Sequence, residues 1–286
     1  MNSMIITPKP SDKEVQILAS ELNKRGFKVN YFVPASIDVR ININNFGEQF
    51  EILENKKALV RGFGGDVTQK IFFRLDLLTA IELYGIRLIN SRSALEIASD
   101  KFLTSIYLER HGIPTPKTVI CENPEVALEA FKILGEDVIL KPLFGSKGVG
   151  ITRLNDKDFA ENILNTLHKL NEVFYLQEFV EHYNRDIRIL VLGDKAIAGM
   201  YRKSDNWKTN IHAGAHSEPI ELSGDLEKIA INAAKVTKTE IAGVDVVESE
   251  KGYQVLEVNS IPGFTALQKV SEINLAEEII SYFLES

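Results

Sequence analysis

With only one cysteine, Cys121, in 286 residues, the chain cannot close an intrachain disulfide. That excludes a disulfide-framework scaffold and fits a reducing compartment. The chain also lacks any run of about 18 consecutive apolar residues, so no membrane span is expected. Ahead of Pro8 and Pro10, the opening Met1-Asn2-Ser3-Met4-Ile5-Ile6 has no cationic lead and no apolar stretch of signal-peptide length. Basic residues are in deficit: 33 Lys and Arg against 40 Asp and Glu give a net charge of −7. A nucleic-acid binder would carry a basic face, so none is expected as a partner. A few local lysines can still hold phosphate inside an acidic protein. Repeats and low-complexity segments are missing too. What remains is 44% hydrophobic and 26% charged, the balance of a soluble globular protein, expected in the cytoplasm. The length suffices for two or three small domains.

Hydrophobic spacing predicts alternating strands and helices in the first 90 or so residues. Strands are expected at Met4–Thr7, Lys28–Val33, Ala58–Arg61 and Ile86–Ile89, with a further hairpin from Ile37–Ile43 and Phe50–Leu53. Helices are expected at Asp12–Lys24 and Thr68–Tyr84, giving a small open α/β domain. Ser93 is read as the cap of a short helix, followed by a helix over Asp100–His111 that ends at Gly112. A compact α+β lobe then runs to Phe179. The last block opens with a hairpin around Gly193-Asp194, passes a polar stretch from Lys203 to Glu218, and has a second hairpin around Gly252. The fold class is therefore α/β (α+β), divided as residues 1–90, 91–180 and 181–286.

Five groups of residues carry chemistry. Asp245 lies on one strand of the last hairpin, and Glu257 and Asn259 alternate on the other. Three oxygen donors on one face of an apolar strand pair suit a magnesium ion, with Val244, Val246, Leu256 and Val258 turned to a core. Taken alone, the pattern equally describes a solvated hairpin face. Lys141 ends a buried strand ahead of Gly145-Ser146-Lys147-Gly148, glycines that let a backbone approach phosphate oxygens, or simply make a turn. Lys101 starts a helix, the wrong end for a cation unless it reaches an anion. Gln177-Glu178-Phe179-Val180 ends an apolar strand where backbone groups can read a purine edge. Asp186 and Arg188 alternate on the next strand, with Ile187 and Ile189 facing away. The segment from Arg202 to Ala215 mixes cations, amides and small residues that can stabilise developing charge. His212 and His216 lack a third ligand, so no transition metal is expected. Cys121 is read as a core residue. Gly62-Phe63-Gly64-Gly65 reads as a turn that can line an acceptor site.

In combination these motifs are more specific. Asp100-Lys101, Gly112-Ile113-Pro114-Thr115-Pro116, Lys141-Pro142-Leu143 with Gly145-Ser146 and Gly148, Gln177-Glu178-Phe179, Arg185-Asp186-Ile187-Arg188, Thr209-Asn210, Gly243-Val244-Asp245 and Glu257-Val258-Asn259 follow one another. Their order resembles the RimK-like ATP-grasp family over roughly residues 90–286, with a pre-ATP-grasp domain ahead of it. The resemblance implies an ATP-grasp fold binding ATP and two Mg2+ or Mn2+ ions. Lys101 and Lys141 would contact the phosphates, helped by Gly145, Ser146 and Gly148. Gln177, Glu178, Phe179 and Val180 would line the adenine pocket. Asp186 would contact the ribose or nucleotide, and Lys208, Thr209 and Asn210 would form a second nucleotide-binding segment. Asp245, Glu257 and Asn259 would hold the metal. Arg202 would hold the reacting carboxylate and γ-phosphate, with Asn210 as its catalytic partner. Lys208 stands where many relatives carry arginine.

The implied reaction is ATP-dependent ligation of an amine to a carboxylate through an acyl phosphate, releasing ADP and phosphate. Arg61-Gly62-Phe63, Gln69 to Leu78, and Glu257 to Phe264 are similar to ligases that add an α-linked glutamate to tetrahydromethanopterin. The expected substrates are thus L-glutamate and a carboxylate-bearing cofactor, and the expected assembly is a homodimer or tetramer. Alternatives are α-glutamate capping of the methanogen deazaflavin tail, or modification of a protein C-terminus or an amino-group carrier protein. The Asn-rich run usual in carrier-protein ligases is missing after the last metal ligands.

Overall fold

The computed structural model describes residues 1–40, 56–64, 68–145, 149–209 and 214–286. Its first sheet is parallel, in the order β2-β1-β3-β4, from β1 (Asn2–Ile6), β2 (Lys28–Phe32), β3 (Lys57–Val60) and β4 (Arg87–Ile89). Helix α1 (Lys13–Lys24) joins the first two strands and α2 (Thr68–Leu83) the last two. The Asp12 carboxylate caps α1 by accepting from the N–H groups of Glu14 and Val15. Both faces of this sheet are covered, which is why Met4–Ile6 and Ala58–Val60 read as unbroken apolar runs. Met4, Ile6, Ala58, Val60 and Leu88 pack on α2, while Ile5, Leu59 and Ile89 face α1 and the C-terminal part of the chain. Where the expected hairpin begins, Pro34 instead opens a 3-10 turn, Pro34–Ser36, and residues 37–40 form no strand. The rest of that hairpin, 41–55, lies outside the described residues.

Helix α3 (Arg92–Ser99) corrects the expected cap: Ser91, not Ser93, takes the Ala94 N–H at 3.2 Å. A cap must lie outside the first turn to reach an orphan N–H, and Ser93 is already inside it. Asp100 caps α4 (Lys101–Arg110), and Gly112 turns the chain out with φ +68. A second, antiparallel sheet has the order β5-β8-β6-β7, from β5 (Thr118–Cys121), β6 (Val138–Lys141), β7 (Thr152–Leu154) and β8 (Phe174–Glu178). Helices α5 (Pro124–Ile133) and α6 (Lys157–Lys169) cover one face. Cys121 is half-buried at the edge of this core rather than inside it.

The third sheet is antiparallel and five-stranded, in the order β11-β10-β9-β12-β13. It contains β9 (Arg185–Leu192), β10 (Lys195–Lys203), β11 (His216–Pro219), β12 (Ile241–Ser249) and β13 (Gly252–Asn259). Ile187, Ile189, Val191, Val244, Val246 and Val258 pack on α7 (Gly224–Val236). The opposite face is split along its length. At one end Leu190, Leu192 and Ile241 meet Ile5, Leu59, α1, the short α8 (Thr265–Gln268) and α9 (Leu275–Glu285). At the other end that face is polar and opens on a cleft. The Asn90 side chain ties β4 to this sheet, donating to Ser260 O at 2.6 Å and Ile241 O at 2.8 Å. No helix among the described residues is long and apolar enough to cross a membrane.

Candidate active site

The cleft lies between the second and third sheets and spans about 690 Å³, a figure that includes space open to solvent. Its apolar end is formed by Ile139, Ile151, Phe179, Trp207, Val247 and Leu256, and its polar end by Lys141, Asp245 and Glu257. That mixture is usual for a site binding a planar ring with an anionic tail.

Register builds the polar end. Asp186 on β9 pairs with Arg202 on β10, Arg188 with Asp245 on β12, and Asp245 with Glu257 on β13. Side chains of paired residues share a face, so these groups project together. Arg202 grips Asp186 through two N–H groups, at 2.7 and 2.6 Å, and reaches Asp245 at 3.0 Å. Arg188 holds the Asp245 carboxylate in the same two-pronged way, with Nη2 at 2.7 Å from Oδ2. Burial alone would raise the Asp245 pKa, but the two guanidiniums overcome it and hold the carboxyl below its usual range. Burial likewise opposes the charge of Arg202, yet Asp245 and Asp186 push its pKa up. The Thr209 hydroxyl adds a third bond to Asp186 at 2.7 Å. The Asp186 carboxylate expected to meet a ribose is therefore already engaged by Arg202 and Thr209.

A bulge corrects one expectation. Asp245 faces Glu257, but the next residue, Val246, faces Val255, which leaves Leu256 unpaired. Val255 takes the place in the core expected for Leu256, and Leu256 turns to the cleft. Asn259 pairs with Gly243 and donates its Nδ2 to Gly243 O at 3.2 Å, which leaves its Oδ1 for another partner. The Glu257 carboxylate accepts no hydrogen bond from a described residue. No cluster of three His, Cys, Asp or Glu gathers among the described residues. Two carboxylates and one amide oxygen on a single face fit a hard divalent cation that takes its other ligands from phosphates.

The opposite wall supplies cations. Lys141 is half-buried, donates to Gln177 Oε1 at 2.6 Å and lies 5.8 Å from the Tyr175 ring centre. Burial brings its pKa down to about 8, with Glu257 opposing and Lys101 assisting. Burial also lowers the pKa of Lys101, again against the pull of Glu257. The Lys101 ammonium donates to Gly145 O at 3.3 Å. Gln177 is further held by Thr118 and Tyr175, so it positions Lys141.

At the apolar end, the Arg153 guanidinium stacks 3.5 Å above the Phe179 ring and is itself fixed by Asp137. The N–H groups of Glu178 and Phe179 are taken by Lys117 O at 2.8 Å and Asp137 O at 2.9 Å. The Val180 N–H has no backbone partner among the described residues. Lys208 rests its ammonium 5.1 Å from the Trp207 ring centre. Ser146, Lys147, Gly148, Asn210 and His212 lie outside the described residues. Arg188, visible in the alternation of Arg-Asp-Ile-Arg, and His182 and Leu256, which no motif marks, join the site here.

Comparisons with known proteins agree with this fold. A RimK-like ATP-grasp domain matches residues 98–283. The tetrahydromethanopterin:alpha-L-glutamate ligase of Methanococcus maripaludis is 42% identical over 234 residues, 80% of this chain and 79% of that protein. The alpha-aminoadipate–LysW ligase LysX of Sulfurisphaera tokodaii is 36% identical over 208 residues, 71% of this chain and 73% of that one. Among solved structures, the ATP-grasp ligase PsnB complexed with minimal precursor, Mg and ADP aligns with a TM-score of 0.76 at 19% identity. That alignment covers 99% of this chain and 97% of PsnB.

Proposed function

The chain belongs to the RimK-like ATP-grasp family of carboxylate–amine ligases, and from that premise we propose that it joins L-glutamate, through an α-linked amide, to the glutamyl carboxylate of tetrahydromethanopterin. The observation that carries the chemistry is the meeting of the Asp245–Glu257 pair with the half-buried Lys141 across one cleft. The likeness to the 42% identical ligase supports the choice of substrates.

In this reading the base of ATP lies against Phe179 and the apolar end, and its phosphates meet Lys101 and Lys141. Asp245, Glu257 and Asn259 would hold Mg2+, which when bound neutralises charge on the phosphates during transfer. Lys141 is desolvated and fixed by Gln177, so little reorganisation is needed when charge develops beside it. The acceptor carboxylate attacks the γ-phosphorus and ADP leaves, giving an acyl phosphate. The glutamate amine then attacks the acyl carbon, phosphate departs, and the amine loses a proton. Arg202 orients the transferring oxygens, while the cleft walls keep water from the acyl phosphate. No enzyme nucleophile takes part.

The test is ADP release by the purified protein with ATP and Mg2+. Release should require both L-glutamate and tetrahydromethanopterin, and the product should gain one glutamyl residue by mass. Release with a deazaflavin polyglutamate instead would move the acceptor to that cofactor. Turnover only with an amino-group carrier protein and aminoadipate would favour the LysX-like reading, for which the 36% identical relative is the argument.

A further inference from the structure

We propose that Thr115 is a positioning residue for the metal-binding face: its hydroxyl pins the bulge in β13 that turns Glu257 and Asn259 toward the cleft. The role rests on the reading above of Asp245, Glu257 and Asn259 as metal ligands.

Register shows why the bulge matters. From the hairpin turn the ladder is regular, with Tyr253 opposite Glu248, Gln254 opposite Val247 and Val255 opposite Val246. Continued without a break, it would set Leu256 opposite Asp245, Glu257 opposite Val244 and Asn259 opposite Ala242. Val244 and Ala242 are buried on the α7 side of the sheet. Glu257 and Asn259 would then point into that core, away from Asp245. The bulge prevents this, and Glu257 faces Asp245 while Asn259 faces Gly243. Its place along β13 is also confined. One step later, it would bury the Glu257 charge against α7. One step earlier, it would turn Val255 out of the core that holds it.

β13 is the last strand of its sheet, so no described strand pairs with its outer backbone groups. The Gly112-Ile113-Pro114-Thr115-Pro116 segment meets them instead. Ile113 and Thr115 each precede a proline, which biases both to extended backbone. Pro114 and Pro116 have no N–H left to satisfy. The segment can therefore lie along an edge strand as a ready acceptor. It engages Val255, the last residue before the bulge, at both backbone groups. Pro114 O accepts the Val255 N–H at 2.8 Å, and the Thr115 hydroxyl donates to Val255 O at 2.9 Å. Ile113 is buried in the same core as Val255 and Val258. Two residues on, Lys117 O accepts the Glu178 N–H at 2.8 Å, and the Lys117 N–H donates to the Glu178 carboxylate at 3.1 Å. The segment thus ties the bulge to the opposite wall of the cleft. The Thr115 hydroxyl holds the peptide at which the bulge starts, so Glu257 is already in place when an ion arrives.

The probe is ADP, titrated into the full chain by calorimetry with excess Mg2+ and again with EDTA. Wild type should bind ADP more tightly with Mg2+. In Thr115→Val, which keeps the shape and loses the hydroxyl, that Mg2+ gain should shrink about 5–10-fold, the factor for one hydrogen bond. Affinity in EDTA should fall much less, since no ion then draws on Glu257. Thr115→Ser should keep the gain. Thermal midpoints check folding, and Thr115→Ala takes the place of the Val variant if that one does not fold. An undiminished gain overturns the proposal, whether the thermal midpoint falls or affinity drops equally with and without Mg2+. Loss of the gain in Thr115→Ser overturns the part given to the hydroxyl. If Mg2+ gives wild type no gain, the metal reading of Asp245, Glu257 and Asn259 falls and this role with it. A wild-type gain with an indifferent Thr115 removes this role alone.

Discussion

The two walls of the cleft carry charge in opposite ways. On the five-stranded sheet each buried charge has an ionic partner: Asp186 with Arg202, and Asp245 with Arg188 and Arg202. On the four-stranded sheet the half-buried Lys141 has, among the described residues, only the amide of Gln177 as its hydrogen-bond partner. The Asp186–Arg202–Asp245 network is electrostatically satisfied before anything binds, while Glu257 beside it has no hydrogen-bond partner among the described residues. The second wall is held in a state that an anion would relieve. Loss of Asp186 from that network should therefore act mainly on stability, and loss of Lys141 mainly on turnover.

The largest effect is expected from Asp186→Ala. It strips Arg202 of its two-pronged partner inside the protein, and breaking such buried pairs costs about 3–5 kcal/mol. Urea unfolding should show a lower midpoint at an unchanged slope; a loss below about 1 kcal/mol would remove the contrast between the walls. Next comes Lys141→Met. Relief of a desolvated charge offsets the unpaired Gln177 oxygen, so stability should change by less than about 1 kcal/mol. The kcat/KM for ATP should nevertheless fall about 10²–10³-fold. A variant that is unstable yet fully active when folded would reverse the assignment.

The smallest effect is a pH dependence that sharpens the comparison. With its pKa at about 8, Lys141 loses its proton in the free enzyme above that pH, so kcat/KM for ATP should fall there, up to tenfold per unit. Stability should move the other way. Between about 8 and the ordinary lysine value of 10.5 the unfolded chain binds more protons at this site than the folded one, so the Lys141 contribution to stability rises with pH. Lys141→Met should abolish both trends; their persistence in that variant would assign them to another group.

Much of this was legible in sequence. Period-two alternation put Asp245, Glu257 and Asn259 on one face, and the register brings them together. The apolar runs of the front sheet marked its strands, and Asp12 marked the start of α1. Leu256 was misread because alternation assumes an unbroken ladder, and the bulge sets two successive residues, Leu256 and Glu257, toward the cleft. Ser93 was misread as a cap because two serines stood where one was needed. The engagement of Asp186 was hidden because Arg202 is sixteen positions away in the chain and adjacent only across the β9–β10 pair.

By itself the sequence determined which residue types alternate, where helices begin and which segments are buried on both sides, because these follow from local geometry and the period of the backbone. Only the tertiary structure decided which charge meets which. It set Arg188 and Arg202 against Asp245 and stood Lys141 across the cleft from Glu257. Pairing of buried charges depends on strand register and on which sheets face each other, and both are fixed by contacts between residues far apart along the chain.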